Sequence, residues 1–311
     1  MAIILFSMVS STAFSAEVYI IKTTNRVEGI KALVEKAGLP DLFGKKIIIK
    51  PNFNSDDPFP ATTHLDTIKT VVRIIKASTP ESITIVERSG MGNTGDVLES
   101  RGLYALASAE GIEVVNLDRL EKDDWVNKGW KGDHWLRGFM VPRIVLEADY
   151  VINLPCLKTH RFGGDFTMAL KNHVGTVAKW QGPYNYMWEL HSSGHQRKMI
   201  AEINKAVPSD LIIMDGIKGF STEGPDKGKL IEPGIIVLAT DPVANDAVGV
   251  AVLRLYGTTD KVAKGMIFDQ EQLKRAGELG LGVKSPEEIQ LMAVNEQAAS
   301  MVGRIKLELR E

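Results

Sequence analysis

With 311 residues, 44% of them hydrophobic and 24% charged, the chain has the composition of a globular protein with a sizeable buried core, which excludes disorder as its main state. Its 37 Lys and Arg against 39 Asp and Glu leave a net charge of -2, so no overall field attracts a polyanion and nucleic acid is not predicted as a partner. The single cysteine, Cys156, excludes an internal disulfide, an all-cysteine zinc site and a conventional iron–sulfur cluster; any metal would draw on His, Asp, Glu or Asn.

Residues 1–16, MAIILFSMVSSTAFSA, have the outline of a secretory signal with cleavage after Ala13 or Ala16. They lack Lys or Arg before the apolar run, and Met8 offers an alternative start. The run is also shorter than the roughly 20 residues of a spanning helix. The expectation is a cytoplasmic protein, with export through residues 1–16 as the alternative and no integral membrane span.

The chain from 17 to 311 reads as one α/β domain, because short β-branched runs alternate with longer helical patterns. The predicted strands are Val18–Lys22, Lys46–Lys50, Ile83–Glu87, Glu113–Asn116, Tyr150–Leu154, Leu211–Asp215 and Gly234–Ala239. Several are continuously apolar, as in a mostly parallel sheet covered by crossover helices on both faces. Leu65, Ile68, Val71, Val72 and Ile75 recur at helical spacing after Thr63, whose hydroxyl is predicted to cap the helix. Further helices are predicted over Gln196–Val207 and after Asp241-Pro242, and a capping box at Ser285-Pro286-Glu287-Glu288 predicts another within a helical C-terminal part, 259–311. Each half of the chain has a strand ending near a Lys (Lys50, Lys158) and one ending in an acid (Glu87, Asp215), a loose duplication compatible with two similar lobes. The segments Leu120–Pro142 and Phe162–Ser193 break the rhythm and read as functional loops.

In open parallel sheets, ligands bind beyond the carboxyl ends of the strands. The residues there are Lys50-Pro51-Asn52, Glu87-Arg88-Ser89-Gly90, Lys158-Thr159-His160, Asp215-Gly216 and Thr240-Asp241-Pro242. Asp241 is read as a plain helix cap. Lys50 and Lys158 continue apolar strands and have no turn-forming role. The densest cluster, Lys158-Thr159-His160 with Lys171-Asn172-His173, combines cations that hold a carboxylate or phosphate with imidazoles that move a proton.

The blocks KKIIIKPNFN, ADYVINLPCLKTH, TMALKNHVG, DLIIMDGIKGF and ATDPVANDAVG, within Lys45 to about Gly282, resemble the successive signature blocks of the domain-of-unknown-function 362 family. The resemblance implies that Lys50, Asn52, Lys158, His160, Lys171, Asn172 and Asp215 occupy signature positions. Some members of that family carry ferredoxin-like cysteine motifs, which this chain lacks, and the family is distantly similar to the nickel-dependent lactate racemase superfamily. The resemblance therefore speaks to fold more than to reaction.

The predicted site has His160, His173, Lys158 and Lys171 as catalytic groups and Lys50, Asn52, Asn172, Glu87 and Asp215 as substrate-binding groups. His191 and His195 have the i, i+4 spacing of a metal pair, although Ser-Ser-Gly between them is poor helix. With His160 and His173 they form a candidate set for nickel, zinc or iron. Gly90-Met91-Gly92-Asn93-Thr94-Gly95 matches G-x-G-x-x-G formally and is read as a turn. The five tryptophans, Trp125, Trp130, Trp135, Trp180 and Trp188, lie in the two irregular segments, where they pin the loops or face a protein partner. The leading reading is an enzyme that binds a small anionic metabolite and uses Lys/His acid–base or metal-assisted chemistry. The rival is a redox-associated or cofactor-handling accessory protein without turnover.

Overall fold

The computed structural model describes residues 16–311, so the signal-like segment lies outside it except for Ala16. The elements in chain order begin with β1 (Ala16–Lys22), α1 (Arg26–Ala37), β2 (Lys46–Pro51), α2 (Leu65–Lys76), β3 (Ser82–Glu87), α3 (Thr94–Ser100), α4 (Leu103–Glu110) and β4 (Glu113–Asn116). The second part carries β5 (Tyr150–Leu154), β6 (Cys156–His160), α5 (Ala169–Asn172), α6 (Tyr186–Ser192), α7 (Gln196–Ala206), β7 (Leu211–Phe220) and β8 (Ile235–Ala239). It closes with α8 (Pro242–Leu255), α9 (Glu271–Glu278), β9 (Ile289–Ala293) and α10 (Glu296–Glu308). Strands from both halves of the chain join one sheet in the order β9-β1-β8-β7-β5-β2-β3-β4, parallel except at β8.

β2 shows how the sequence builds this sheet. Its alternate side chains serve opposite faces: Ile47 and Ile49 belong to the core that includes Ile30, Leu33, Ile68 and Val72, while Ile48 belongs to the core that includes Val151, Met199, Ile203 and Val250. Each such fully buried side chain contributes about 1.5–3 kcal/mol. Helices therefore cover both faces, and the polar residues that follow the strands are left along the carboxyl edge. No helix among the described residues is long and apolar enough to cross a membrane.

Three local expectations change. Thr63 does not cap α2: its hydroxyl donates to the Leu154 carbonyl at 2.8 Å and accepts from the Asn52 amide at 2.7 Å, joining the ends of β5 and β2. His64 caps instead, its Nδ1 accepting from the Asp66 amide at 3.1 Å. At Pro286–Glu288 there is one 3-10 turn rather than a helix, because the Glu288 carboxylate accepts from the Lys284 amide instead of closing a capping box. The chain then enters β9, whose Ile289 and Leu291 alternate as a strand requires, and the C-terminal helix starts only after the Asn295 cap. Lastly, Cys156–His160, placed by the sequence beyond the end of the strand Tyr150–Leu154, is itself a strand and runs beside the distal half of β7 past an irregularity between Asp215 and Gly219. Gly219 permits that approach, since a Cβ there would stand 2.5 Å from the Leu157 carbonyl oxygen. Asp241 does cap α8, accepting from Val243 and Ala244 amides at 2.8 Å each.

Candidate functional site

The carboxyl ends of the adjacent strands β2 and β3 deliver Lys50 and Glu87 to each other. Their side chains are buried and paired, Nζ to Oε1 at 2.5 Å. Lys50 also donates to the Pro51 carbonyl at 2.7 Å, and Glu87 accepts from the Phe53 and Arg88 amides at 2.7 and 2.8 Å. Burial pushes the Lys50 ammonium below its usual value while Glu87 opposes that shift. The pair is thus internally satisfied and forms the floor of the site. Gly175 lies directly over it, where a Cβ would come within 2.9 Å of Lys50 Nζ and 3.0 Å of Glu87 Oε1.

Lys158, on β6, is also spent on structure. Its Nζ donates to Asn52 Oδ1 at 2.5 Å and to the Ala61 carbonyl, which ties the segment after β2 to β6. Asn172 Nδ2 donates to the Lys50 carbonyl at 3.1 Å and to Asn153 Oδ1 at 2.8 Å, leaving its own Oδ1 without a partner among the described residues.

Above this floor lies a cavity of about 120 Å³, into which Arg88, His160, Lys171, Asn172 and His191 all project surface. Lys171 is 8% exposed and makes neither a hydrogen bond nor an ion pair through Nζ among the described residues. Burial, with Lys158 and Arg88 nearby, brings its ammonium down to about 7. Arg88 donates Nη2 to the Val174 carbonyl and to Met187 Sδ, while its Nε and Nη1 are buried without partners among the described residues; burial lowers it to about 10. Glu87 is the sole carboxylate lining the cavity among the described residues, and it is committed to Lys50.

The imidazoles divide the roles of donor and acceptor. His160 Nδ1 accepts from the Gly164 amide at 3.2 Å, so the neutral ring carries its hydrogen on Nε2. Burial and then Lys171 hold its pKa well below the usual histidine value. His191 Nδ1 lies 2.7 Å from the Met187 carbonyl, an acceptor, so its hydrogen sits on Nδ1 and Nε2 keeps a lone pair. Its pKa is lowered by burial. The short helix α5 that carries Lys171 is fixed by Asp246, whose carboxylate oxygens accept from the Ala169 and Leu170 amides at 2.8 and 3.0 Å. Burial raises that carboxyl to about 7.

Several predicted site residues lie elsewhere. His173 is fully buried, with Nε2 at 2.8 Å from Ser209 Oγ, and desolvation drives its pKa down to about 3, which makes it a core histidine. Asp215 is buried against Arg26 Nε at 2.6 Å and Thr67 Oγ1 at 3.0 Å and does not line the cleft. α6 ends at Ser192, so His191 and His195 share no helical face, and His195 lies against His134 with ring centroids 4.6 Å apart and planes tilted by 45°. Among the described residues no three His, Cys, Asp or Glu side chains converge as a metal-holding group. The four imidazoles proposed for a metal are therefore not brought together; only His160 and His191 meet. Of the stretch Gly90–Gly95, residues 90–92 bend towards the Asn93 cap, and Thr94-Gly95 already form the first residues of α3. Trp135 is buried against Phe139, and Trp130 meets the same ring edge-on, whereas Trp180 and Trp188 are exposed.

Sequence reasoning placed Arg88 in a strand-end block without giving it a role, and gave none to Asp246 or to His191 as an acid–base group. Arg88 carried a legible signal, a charged residue directly after an apolar strand, as at Lys50. Asp246 stood only within the block ATDPVANDAVG, where no spacing or strand end singles it out from the rest of α8.

Residues 47–251 match the family described as Domain of unknown function (DUF362). The chain is 25% identical over 254 residues to a thylakoid-associated protein of Synechocystis sp., covering 79% of this chain and 74% of that protein. Among solved structures, the lactate racemase apoprotein from Thermoanaerobacterium thermosaccharolyticum aligns with a TM-score of 0.44 and 17% identity. That alignment covers 65% of this chain, which spans half of the racemase chain.

Proposed function

The chain belongs to the domain-of-unknown-function 362 family, and on that premise we propose that it is an enzyme whose cleft binds a small anionic metabolite and exchanges a proton with it. One observation carries the reading. Lys171 and Arg88 are buried at the cleft with no carboxylate of their own among the described residues, and a buried cation is costly until an anion joins it or it gives up its proton. A carboxylate or phosphate would supply that anion. His160 Nε2–H then donates to the bound oxygens, and Lys171, poised near neutrality, or the His191 Nε2 lone pair takes or returns the proton. Lys50, Glu87, Asn52 and Lys158 keep the floor rigid beneath it. Asn172 turns one amide face to the cleft while bracing β2 and β5.

A metal-assisted version has only His160 and His191 to start from, beside a guanidinium and an ammonium that repel a divalent cation. The non-catalytic alternative, an accessory protein, has one observation in its favour: Trp188 is 71% exposed on the same helix that supplies Met187 and His191 to the cleft.

The test is thermal unfolding with inorganic phosphate or acetate, followed by NMR of a panel of small carboxylates incubated with the protein in D2O. Ligand at about 100 times its Kd should stabilise the native state by about 2.7 kcal/mol. Lys171→Met should abolish that gain, and His160→Gln should retain the fold while losing deuterium exchange into the responsive acid. Failure of every anion to stabilise the wild type, or equal stabilisation of Lys171→Met, rejects the cleft as an anion site. Binding without exchange favours the accessory reading.

A further inference from the structure

The carboxyl edge of the sheet holds a second, larger cavity of about 750 Å³, between the end of β1, the distal half of β7 and the start of α2. Its size falls within the roughly 300–1,000 Å³ of small-molecule sites. The segment between β2 and α2 separates it from the cleft: Asn52 and Asn54 line the cleft, whereas Pro58, Phe59 and His64 line the larger space.

Its chemistry differs from that of the cleft. Lys22, Arg26, Arg101 and Lys218 stand in its wall against one lining carboxylate, Glu232, which is taken by Lys218 at 2.9 Å. Arg26 spends only Nε on Asp215, at 2.6 Å, and lies with its guanidinium 4.4 Å over the Phe59 ring. Its two Nη groups make no hydrogen bond among the described residues. Arg101 reaches the Asp56 carbonyl only at 3.5 Å through Nη1, and its Nε is buried with no partner among the described residues. Beside the neutral polar Thr23, Thr24 and His64, the wall has an apolar side made of Pro58, Phe59, Leu65 and Ile217. Cations with spare donors facing an apolar wall fit a ligand that has both an anionic head and a flat hydrophobic body.

We propose that this cavity is a second ligand site, for an organic anion of the aryl phosphate or aryl carboxylate type, with its head on Arg26, Arg101 and Lys22 and its ring on Leu65 and Ile217. The two cavities share no lining residue, so the site stands whether or not the cleft is catalytic.

Isothermal titration with 1-naphthyl phosphate tests it, because a bicyclic ring is too bulky for the cleft of about 120 Å³. The wild type should bind one equivalent, and naphthalenemethanol, which lacks the charge, should bind at least about tenfold more weakly. Lys22→Met/Arg101→Gln should weaken naphthyl phosphate binding about tenfold or more, and Lys171→Met should leave it unchanged. Should the double variant fail to unfold as cooperatively as the wild type, Lys22→Met alone is read in its place. No binding to the wild type, equal affinity for the neutral alcohol, undiminished binding by the Lys22 variants, or a loss caused by Lys171→Met would each overturn the proposal.

Discussion

The two cavities along the carboxyl edge are built from the same residue types and differ in how those residues are held. At the cleft, Lys50, Lys158, Lys171 and Arg88 emerge from strand ends and a short internal helix, and all are buried. At the larger cavity, Lys22, Arg26 and Arg101 stand beside open space and keep donors to spare. Burial changes what a cation can do. Desolvation brings Lys171 to about 7, where it can give and take a proton, whereas a cation on an open wall chiefly attracts an anion.

The sharpest way to break this comparison is to remove the internal counter-charge from the cleft. Glu87→Gln strands the Lys50 ammonium in the core and should cost about 3–5 kcal/mol in a denaturant titration. Unchanged stability would mean that the pair does not brace the site. A smaller effect is expected from His173→Ala, about 1–3 kcal/mol through the loss of the Ser209 hydrogen bond and the polar groups it leaves unpaired. Phosphate-induced stabilisation should survive that change; its loss would return His173 to the cleft.

Lys171→Met separates the two cavities by pH. The wild-type ammonium has a folded value of about 7 against an ordinary 10.5, so the folded state binds its proton less tightly than the unfolded chain does. The penalty is complete below pH 7 and fades as pH rises from about 7 to 10.5. Unfolding titrations across that range should show the variant more stable than the wild type near pH 6, with the gap closing towards pH 10. A constant gap would show that Lys171 does not titrate abnormally. The smallest effect belongs to the surface: Trp188→Ser should alter stability by no more than about 0.5 kcal/mol, measured by the same titration. A larger loss would make Trp188 a packing residue instead of an exposed one.

Much of the fold was legible because its signals are local. The apolar runs at Lys46–Lys50, Ile83–Glu87 and Tyr150–Leu154 are long enough to name the strands, and the Asp241-Pro242 pair marks the start of α8. The cap of α2 and the turn at 286–288 were not, since Thr63 and Glu288 each had competing partners. In the site, Lys171-Asn172 was legible as part of a dense cluster of cations and imidazoles, but His173, its neighbour, turns into the core beside Ser209.

The sequence by itself determined a largely parallel sheet with helices on both faces and a row of polar residues along its carboxyl edge, because periodicity and strand-end chemistry act over a few neighbouring residues. Tertiary structure decided which of those residues remain available to a ligand. Lys50 meets Glu87 across 37 positions and Lys158 meets Asn52 across 106, and pairings at such separations are set by how strands and helices stack. The same stacking brings Arg88, from the end of β3, and His191, from α6, to one small space around Lys171.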